Sequence, residues 1–205
     1  MTNKEFEVYI EKVEKYVRHL FYNHCDRKLV YHNLVHTEHV IKRIKEIAAH
    51  YSLSLQDEFI LYCAGWFHDT GHLFVPAGQH ERKGIELMEE FLSPYNIDEV
   101  TITLVARCIF VTKFPGQPLS LPEKIICDAD LYHLGTPAFI TIDKLVKKEF
   151  ELRNNFVPAN WNELTLSFLQ AHHYYTGYCQ NLLNDGKKKN IALVSAMVMK
   201  DKSES

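Results

Sequence analysis

Trp66-Phe67-His68-Asp69-Thr70-Gly71-His72 follows an apolar run with helical spacing and sets an imidazole beside a carboxylate. A His and an Asp at the end of a buried helix are costly to desolvate unless something binds them, and a divalent metal ion is the commonest reason for such a pair. Ser54, with Asp57 three residues on, makes a capping box for the helix that leads into the stretch. The stretch therefore predicts a metal site at the end of a buried helix.

Two other segments carry side chains that suit the same site, Tyr31-His32-Asn33-Leu34-Val35-His36 upstream and Cys127-Asp128-Ala129-Asp130 downstream. His36 shares a helix face with the apolar residues that follow it, so we expect it to point inward. We expect Asp130 instead to be a helix-surface partner of Lys124 or His133. The predicted metal ligands are His36, His68, Asp69 and Asp128.

The rest of the chain also has helical patterning. Residues 3–21 form an amphipathic helix, and Asp98 is a candidate N-cap for a helix rich in β-branched residues, for which a strand is the minority alternative. Thr136 and Pro137 resemble the N-cap and first residue of a later helix. Residues 177–200 have helical composition with an interruption at 184–186, and the Lys187-Lys188-Lys189 run that follows is expected to be a solvated turn. The sequence predicts an all-α fold.

At these residues the chain resembles the HD superfamily of metal-dependent phosphohydrolases, which is named after the adjacent His-Asp pair, and within it a branch of small phosphohydrolases. The resemblance covers about residues 31–181. It rests on Trp66-Phe67-His68-Asp69, His80-Glu81, Thr112-Lys113, Asp128-Ala129-Asp130-Leu131 with Leu134-Gly135, and Lys148-Glu149-Phe150. The resemblance implies a helical bundle with a metal site between helices. It also implies that Asp69 can bridge two metal ions, between which a water becomes the nucleophile.

Further roles follow from the same resemblance. His32 lies in a Tyr-His-Asn segment like that of cyclic-nucleotide phosphodiesterases, where it would protonate a leaving oxygen; the alternative is a loop His that caps a helix. His80 could bind a second metal ion, and Glu81 could orient a ligand or accept a proton from the attacking water. His72 could likewise bind a second metal ion or support the ligands from behind; the alternative is that it is the polar end of a loop.

Many two-metal members of the superfamily have a further His in the region that here holds Arg107 and Cys108, which weakens the case for a second ion. Lys113 is the candidate for neutralising phosphate, helped by Arg82. Two nitrogen and two oxygen ligands suit Mn, Fe, Ni, Co or Zn and, with more waters, Mg. We therefore expect one divalent ion, with a second possible.

Composition limits the other classes. A chain of 205 residues fits a single domain over 1–205, with its core at about 31–181, an N-terminal helix and a C-terminal helical extension. The formal charge of −3 has no polycationic signature, so we expect no nucleic-acid partner. No apolar run approaches the ~20 residues that span a bilayer. Five cysteines without a Cys-x-x-Cys pair, and no secretory segment, favour a reduced cytoplasmic protein.

The function that these observations favour is hydrolysis of a phosphate ester, a nucleotide or similar small phosphorylated metabolite, by a metal-activated water. A noncatalytic module that binds a nucleotide is the alternative. A di-iron oxygenase on the same fold is a third hypothesis, against which the absent downstream His counts. The sequence leaves the substrate, the metal and the oligomeric state open, a homo-oligomer included.

Overall fold

The structure, a computed structural model, describes residues 2–24 and 26–203, whose regular elements are all helical. The α-helices are α1 Asn3–Asn23, α2 Leu34–Ala48, α3 Leu55–Phe67, α4 His80–Leu92, α5 Glu99–Phe110, α6 Leu121–Asp130, α7 Phe139–Asn154, α8 Trp161–Ala171 and α9 Gly177–Ser203. Three short 3-10 helices lie at Thr70–Leu73, Ala77–Gln79 and Tyr132–Gly135. The all-α prediction is confirmed.

Two compact units divide the chain, Met1–Asp130 with α1 to α6 and Leu131–Ser205 with α7 to α9. The single-domain interpretation therefore stays a prediction.

Helix α3 is the centre of the first unit and packs against α1, α2, α5 and α6. A helix that is apolar around most of its circumference must be buried on all sides, and α3 buries nearly every residue from Phe59 to Phe67. The capping box at Ser54 and Asp57 is present, with each side chain accepting from the other's backbone N–H. The buried end of this central helix is therefore followed directly by His68 and Asp69.

Other helix starts test the sequence predictions. The Asp98 side chain accepts a hydrogen bond from Thr101 N–H and caps α5, so the strand alternative for that segment is wrong. Helix α7 begins at Phe139 behind an Ala138 cap, later than the expected start at Thr136 and Pro137.

In the second unit, α9 runs without a break through residues 184–186, so the predicted interruption is wrong. A Cβ on Gly186 would lie 1.9 Å from the Gly135 carbonyl oxygen. The glycine therefore serves close packing of α9 on Tyr132–Gly135 and does not end the helix. Lys187 is buried and donates a hydrogen bond to the His172 carbonyl, so the expectation of a solvated turn is also wrong at this residue.

The described cysteines, Cys63, Cys108, Cys127 and Cys179, are buried. Cys25 lies outside the described residues. Among the helices that the structure describes, none combines the length and apolar character needed to cross a bilayer.

Candidate metal centre

Local capping aims the first ligand candidate inward. The Asn33 side chain accepts hydrogen bonds from the backbone N–H groups of Val35 and His36, which fixes the start of α2. His36 is consequently in the first turn and is buried on the face that packs against α3 and α6. The inward orientation expected from its helical spacing is confirmed.

Three helices converge on one cluster of side chains, the primary cluster, which consists of His36, His68, Asp69 and Asp130. His68 is the C-cap of α3, Asp69 follows it, and Asp130 is the last residue of α6. Asp69 Oδ2 lies 3.3 Å from Nε2 of His36 and 3.3 Å from Nε2 of His68. Asp130 Oδ1 lies 3.0 Å from His36 Nε2 and 3.7 Å from His68 Nε2. Two imidazoles thus face two carboxylates in a buried space.

Asp130, two residues after the predicted ligand Asp128, is the α6 carboxylate that lies beside His36 and His68. Residues two apart on an α-helix point in nearly opposite directions, since each residue turns the helix by about 100°. Asp128 is fully buried but belongs to neither group of possible metal ligands found among the described residues. Asp130 is likewise no surface partner of Lys124 or His133 but contacts the two histidines. Both aspartates are candidates in the sequence. Which of the two faces the histidines depends on the rotation of α6 about its axis.

The hydrogen bonds behind His68 suit a metal ligand. His68 Nδ1 lies 2.8 Å from the Gly65 carbonyl oxygen, which can only accept, so Nδ1 carries a proton and Nε2 faces the carboxylates. Within the described residues, His68 Nε2 and Asp69 Oδ2 are buried and form no hydrogen bond of good geometry, although they lie 3.3 Å apart. Converging lone pairs of this kind are what a shared cation would satisfy, so these residues fit a divalent metal ion.

Without a cation the cluster balances its charge with protons. Burial lowers the pKa of His36, but contacts with Asp130 and Asp69 outweigh burial and raise that pKa to about 9. Burial likewise lowers the pKa of His68, which Asp69 and Asp130 together hold well above its usual value. Burial raises the pKa of Asp69, but His68 and His36 outweigh it and hold the carboxyl well below its usual range. The raised pKa values of the two histidines thus favour their protonated forms when no cation is bound.

A second group forms on the other side of the Asp69 carboxylate. His32, Asp69 and His72 place one ligand atom each within 4.8 Å of one another. Asp69 Oδ1 lies 3.8 Å from His72 Nε2 and 3.7 Å from His80 Nε2. The His72 ring lies between the other two rings, with centroids 4.3 Å from His32 and 3.8 Å from His80. We call His32, Asp69 and His72 the secondary cluster.

Comparison with known proteins supports the same conclusion. The family model described as HD domain matches residues 33–135, half of the chain, including the primary cluster. The chain belongs to the HD domain family. Members of this family are mostly metal-dependent phosphohydrolases. Searches of curated proteins and of solved structures find no match to this HD domain protein.

We use the name HD site for the primary and secondary clusters together. From the sequence, a second ion at this site was expected to lack a ligand where Arg107 and Cys108 stand. Cys108 is indeed buried in α5 and belongs to neither cluster. His32 and His72 supply the extra imidazoles from other elements, His72 from the 3-10 helix Thr70–Leu73. His72 and His80, but not His32, were predicted from the sequence as possible ligands of a second ion.

Gly71 allows the start of α4, which carries His80, to lie close to Asp69. A Cβ on Gly71 would lie 2.0 Å from the His80 carbonyl oxygen, a distance that no side chain tolerates. The start of α4 therefore rests directly on the backbone after Asp69. His80 Nδ1 lies 2.5 Å from the Ala77 carbonyl oxygen, so its Nε2 faces Asp69 and Glu81.

Glu81 and Lys113 form the outer edge of the HD site. Glu81 is buried, with Oε1 3.6 Å from His80 Nε2 and Oε2 3.2 Å from Lys113 Nζ. Lys113 also donates to the Gly78 carbonyl oxygen at 3.2 Å, which joins it to the loop before α4. Arg82 is exposed on α4. The structure thus brings Lys113 to the site edge through Glu81.

Proposed function

We propose that this HD domain protein hydrolyses a phosphate ester, a nucleotide or a similar small phosphorylated metabolite, with a metal-activated water. The observation that carries the proposal is the buried primary cluster, in which two histidines and two aspartates converge around atoms that lack hydrogen bonds among the described residues. A neutral structural core would not collect four titratable groups without compensation.

His36, His68, Asp69 and Asp130 would hold the first divalent ion. Their mixed nitrogen and oxygen ligands suit Mn, Fe, Co, Ni or Zn better than Mg or Ca. A bound ion of this kind supplies a water with a pKa near neutrality and polarises a phosphoryl oxygen. The chain's own part is to fix the ligands: the Gly65 carbonyl orients His68, and the Asn33 cap orients His36.

His32, Asp69 and His72 of the secondary cluster would hold a second ion. The two oxygens of Asp69 point to different partners, Oδ2 to the primary cluster and Oδ1 to His72 and His80. Asp69 would therefore contribute to the binding of both ions.

Substrate phosphate would be held at the outer edge of the site. Lys113 presents its ammonium there, fixed by Glu81, and would neutralise charge on the phosphoryl oxygens as it develops. His32 is partly exposed, so its ring could instead protonate the leaving oxygen. Metal stoichiometry in His32→Gln separates these roles, since a ligand variant loses one ion and a proton-donor variant keeps both with a lower kcat.

The test is phosphate release from a panel of monoesters, diesters and nucleotides by protein loaded with each metal in turn, beside His68→Ala. We expect one or two ions per chain and metal-dependent release, both lost in the variant. His39→Ala is the matched control, because His39 is exposed on α2. Retained release in His68→Ala would overturn the proposal. Tight nucleotide binding without turnover under any metal would indicate a binding module, and oxygen consumption with bound iron would indicate an oxygenase.

A further inference from the structure

A cleft of about 310 Å³ opens beside the HD site, lined by residues from α5, the following loop and α6. Its polar lining comes from Arg107, Lys113, Gln117 and Glu123, and Phe110 contributes an exposed aromatic wall. The mechanism proposed above uses only Lys113 from this set. The remaining lining residues have no role in binding the scissile phosphate.

In this cleft the basic side chain of Arg107 is exposed, and the acidic side chain that pairs with it is buried. The Glu123 side chain is only 4% exposed, whereas that of its partner Arg107 is 49% exposed, with Nη2 3.1 Å from Glu123 Oε1. The other Glu123 oxygen accepts from the Leu119 backbone N–H at 2.8 Å. The Leu119 N–H thus fixes the Glu123 carboxylate, and the carboxylate fixes the Arg107 guanidinium. A guanidinium has five N–H donors, so further donors remain for a ligand.

Lys113 also pairs an exposed cation with a buried carboxylate, on the side of the cleft nearer the proposed metal ligands. Its side chain is 46% exposed, and its partner Glu81 is 5% exposed. Glu81 in turn contacts His80, which lies 3.7 Å from Asp69 Oδ1. Two cations therefore face the cleft, each paired with a carboxylate that is almost fully buried, and Lys113 adjoins the proposed metal site.

We propose that the cleft binds a second anionic group of the substrate, phosphoryl or carboxyl, and that Arg107 selects for it. This inference rests on the proposed function, because the scissile phosphate must occupy the metal centre while the second group lies in the cleft. Lys113 stands between the two anions, and the Phe110 ring covers the apolar or ring portion that joins them. The preferred substrates are phosphate esters with two anionic groups.

The test compares dissociation constants for two matched ligand pairs by thermal-shift titration of metal-loaded protein, which needs no turnover. Adenosine 3′,5′-bisphosphate beside adenosine 5′-monophosphate tests a phosphoryl group, and 3-phosphoglycerate beside glycerol 3-phosphate tests a carboxyl group. The variants are Arg107→Gln, Arg107→Lys and, as a charge-matched control on an exposed face of α2, Lys42→Gln.

Wild-type protein should prefer the doubly anionic member of one pair by about tenfold or more, the usual effect of a charge-assisted hydrogen bond. Arg107→Gln should bring that ratio close to one, Arg107→Lys should restore part of it, and Lys42→Gln should keep it. A wild-type ratio near one in both pairs, or equal weakening of both members in Arg107→Gln, would overturn the inference. A retained binding preference without phosphate release would reject the proposed hydrolysis and leave the cleft assignment standing.

Discussion

The Asp130 carboxylate lies 3.0 Å from the His36 imidazole across 94 residues of sequence. The contact joins the end of α6 to the first turn of α2, two helices that pack along each other. Asp130 supplies one of the two carboxylates beside His36 and His68, while Asp128, two residues earlier, belongs to neither group of possible metal ligands among the described residues. The position of a single carboxylate therefore decides the composition of the site.

Metal content should separate the two aspartates. We expect Asp130→Asn to lose bound metal, because an amide supplies no negative charge to the ion, and Asp128→Asn to retain it. The measurement is metal per chain by mass spectrometry after purification without chelator. Both changes replace an acid by its amide within one helix, so they control for each other. Loss in Asp128→Asn alone would restore the original ligand assignment.

Metal binding should release protons. Below the raised pKa of His36, about 9, and that of His68, both rings are protonated in the metal-free protein and must lose a proton to become ligands. Affinity should therefore rise with pH up to about 9, by about tenfold per pH unit for each proton released. Calorimetric titration in buffers of different ionisation enthalpy counts the protons. An observed enthalpy independent of the buffer would contradict the predicted protonation.

Glu81 and Lys113 should act as a unit in catalysis. We expect Lys113→Gln to lower kcat/KM by about tenfold to a hundredfold, since it removes charge that stabilises the phosphoryl oxygens. Glu81→Gln should also lower it, because Glu81 positions both Lys113 and His80. In the double variant the effects should fall short of additive by roughly 0.5–3 kcal/mol, as for residues in contact. The exposed pair Lys83 and Glu86 on α4 is the control cycle, and additive losses at Glu81 and Lys113 would argue against a joint role.

Gly71→Ala should disrupt the site from a residue that contributes no ligand. The new Cβ would lie 2.0 Å from the His80 carbonyl oxygen, so the start of α4 must move away from Asp69. We expect a loss of about 1–3 kcal/mol in the free energy of unfolding together with lower metal content. Gly78→Ala is the stability control, because a Cβ there meets nothing within 4 Å. Equal stability in the two variants by denaturant titration would show that the close approach is not required.

Gly186→Ala should reverse the usual effect of this substitution in a helix. Alanine in place of an exposed helical glycine stabilises by up to about 1 kcal/mol, but here a Cβ would lie 1.9 Å from the Gly135 carbonyl oxygen. We expect destabilisation of about 1–3 kcal/mol by thermal or denaturant unfolding. Gly177→Ala, at the open start of the same helix, should be neutral or stabilising. Stabilisation by Gly186→Ala would contradict the packing described for α9.

The sequence by itself determined the features that depend on neighbouring residues. Apolar spacing and caps such as Ser54 and Asp98 act within one helical turn, so the helical class and several helix starts were readable. The His68-Asp69 pair was equally local, because adjacency in the chain guarantees adjacency in space. His36 could be placed on an inward face because helical periodicity links it to the apolar residues that follow.

Only the tertiary structure decided which distant side chains meet. The choice of Asp130 over Asp128 depends on how far α6 is rotated about its axis. The secondary cluster depends on how the segment before α2, which carries His32, and the 3-10 helix at Thr70–Leu73 approach Asp69. The cleft beside Arg107 likewise requires α5 and α6 to be seen together. Gly186, which in sequence resembles a helix end, proved to be a contact point. These features follow from packing between elements, where the energy depends on partners that no local pattern specifies.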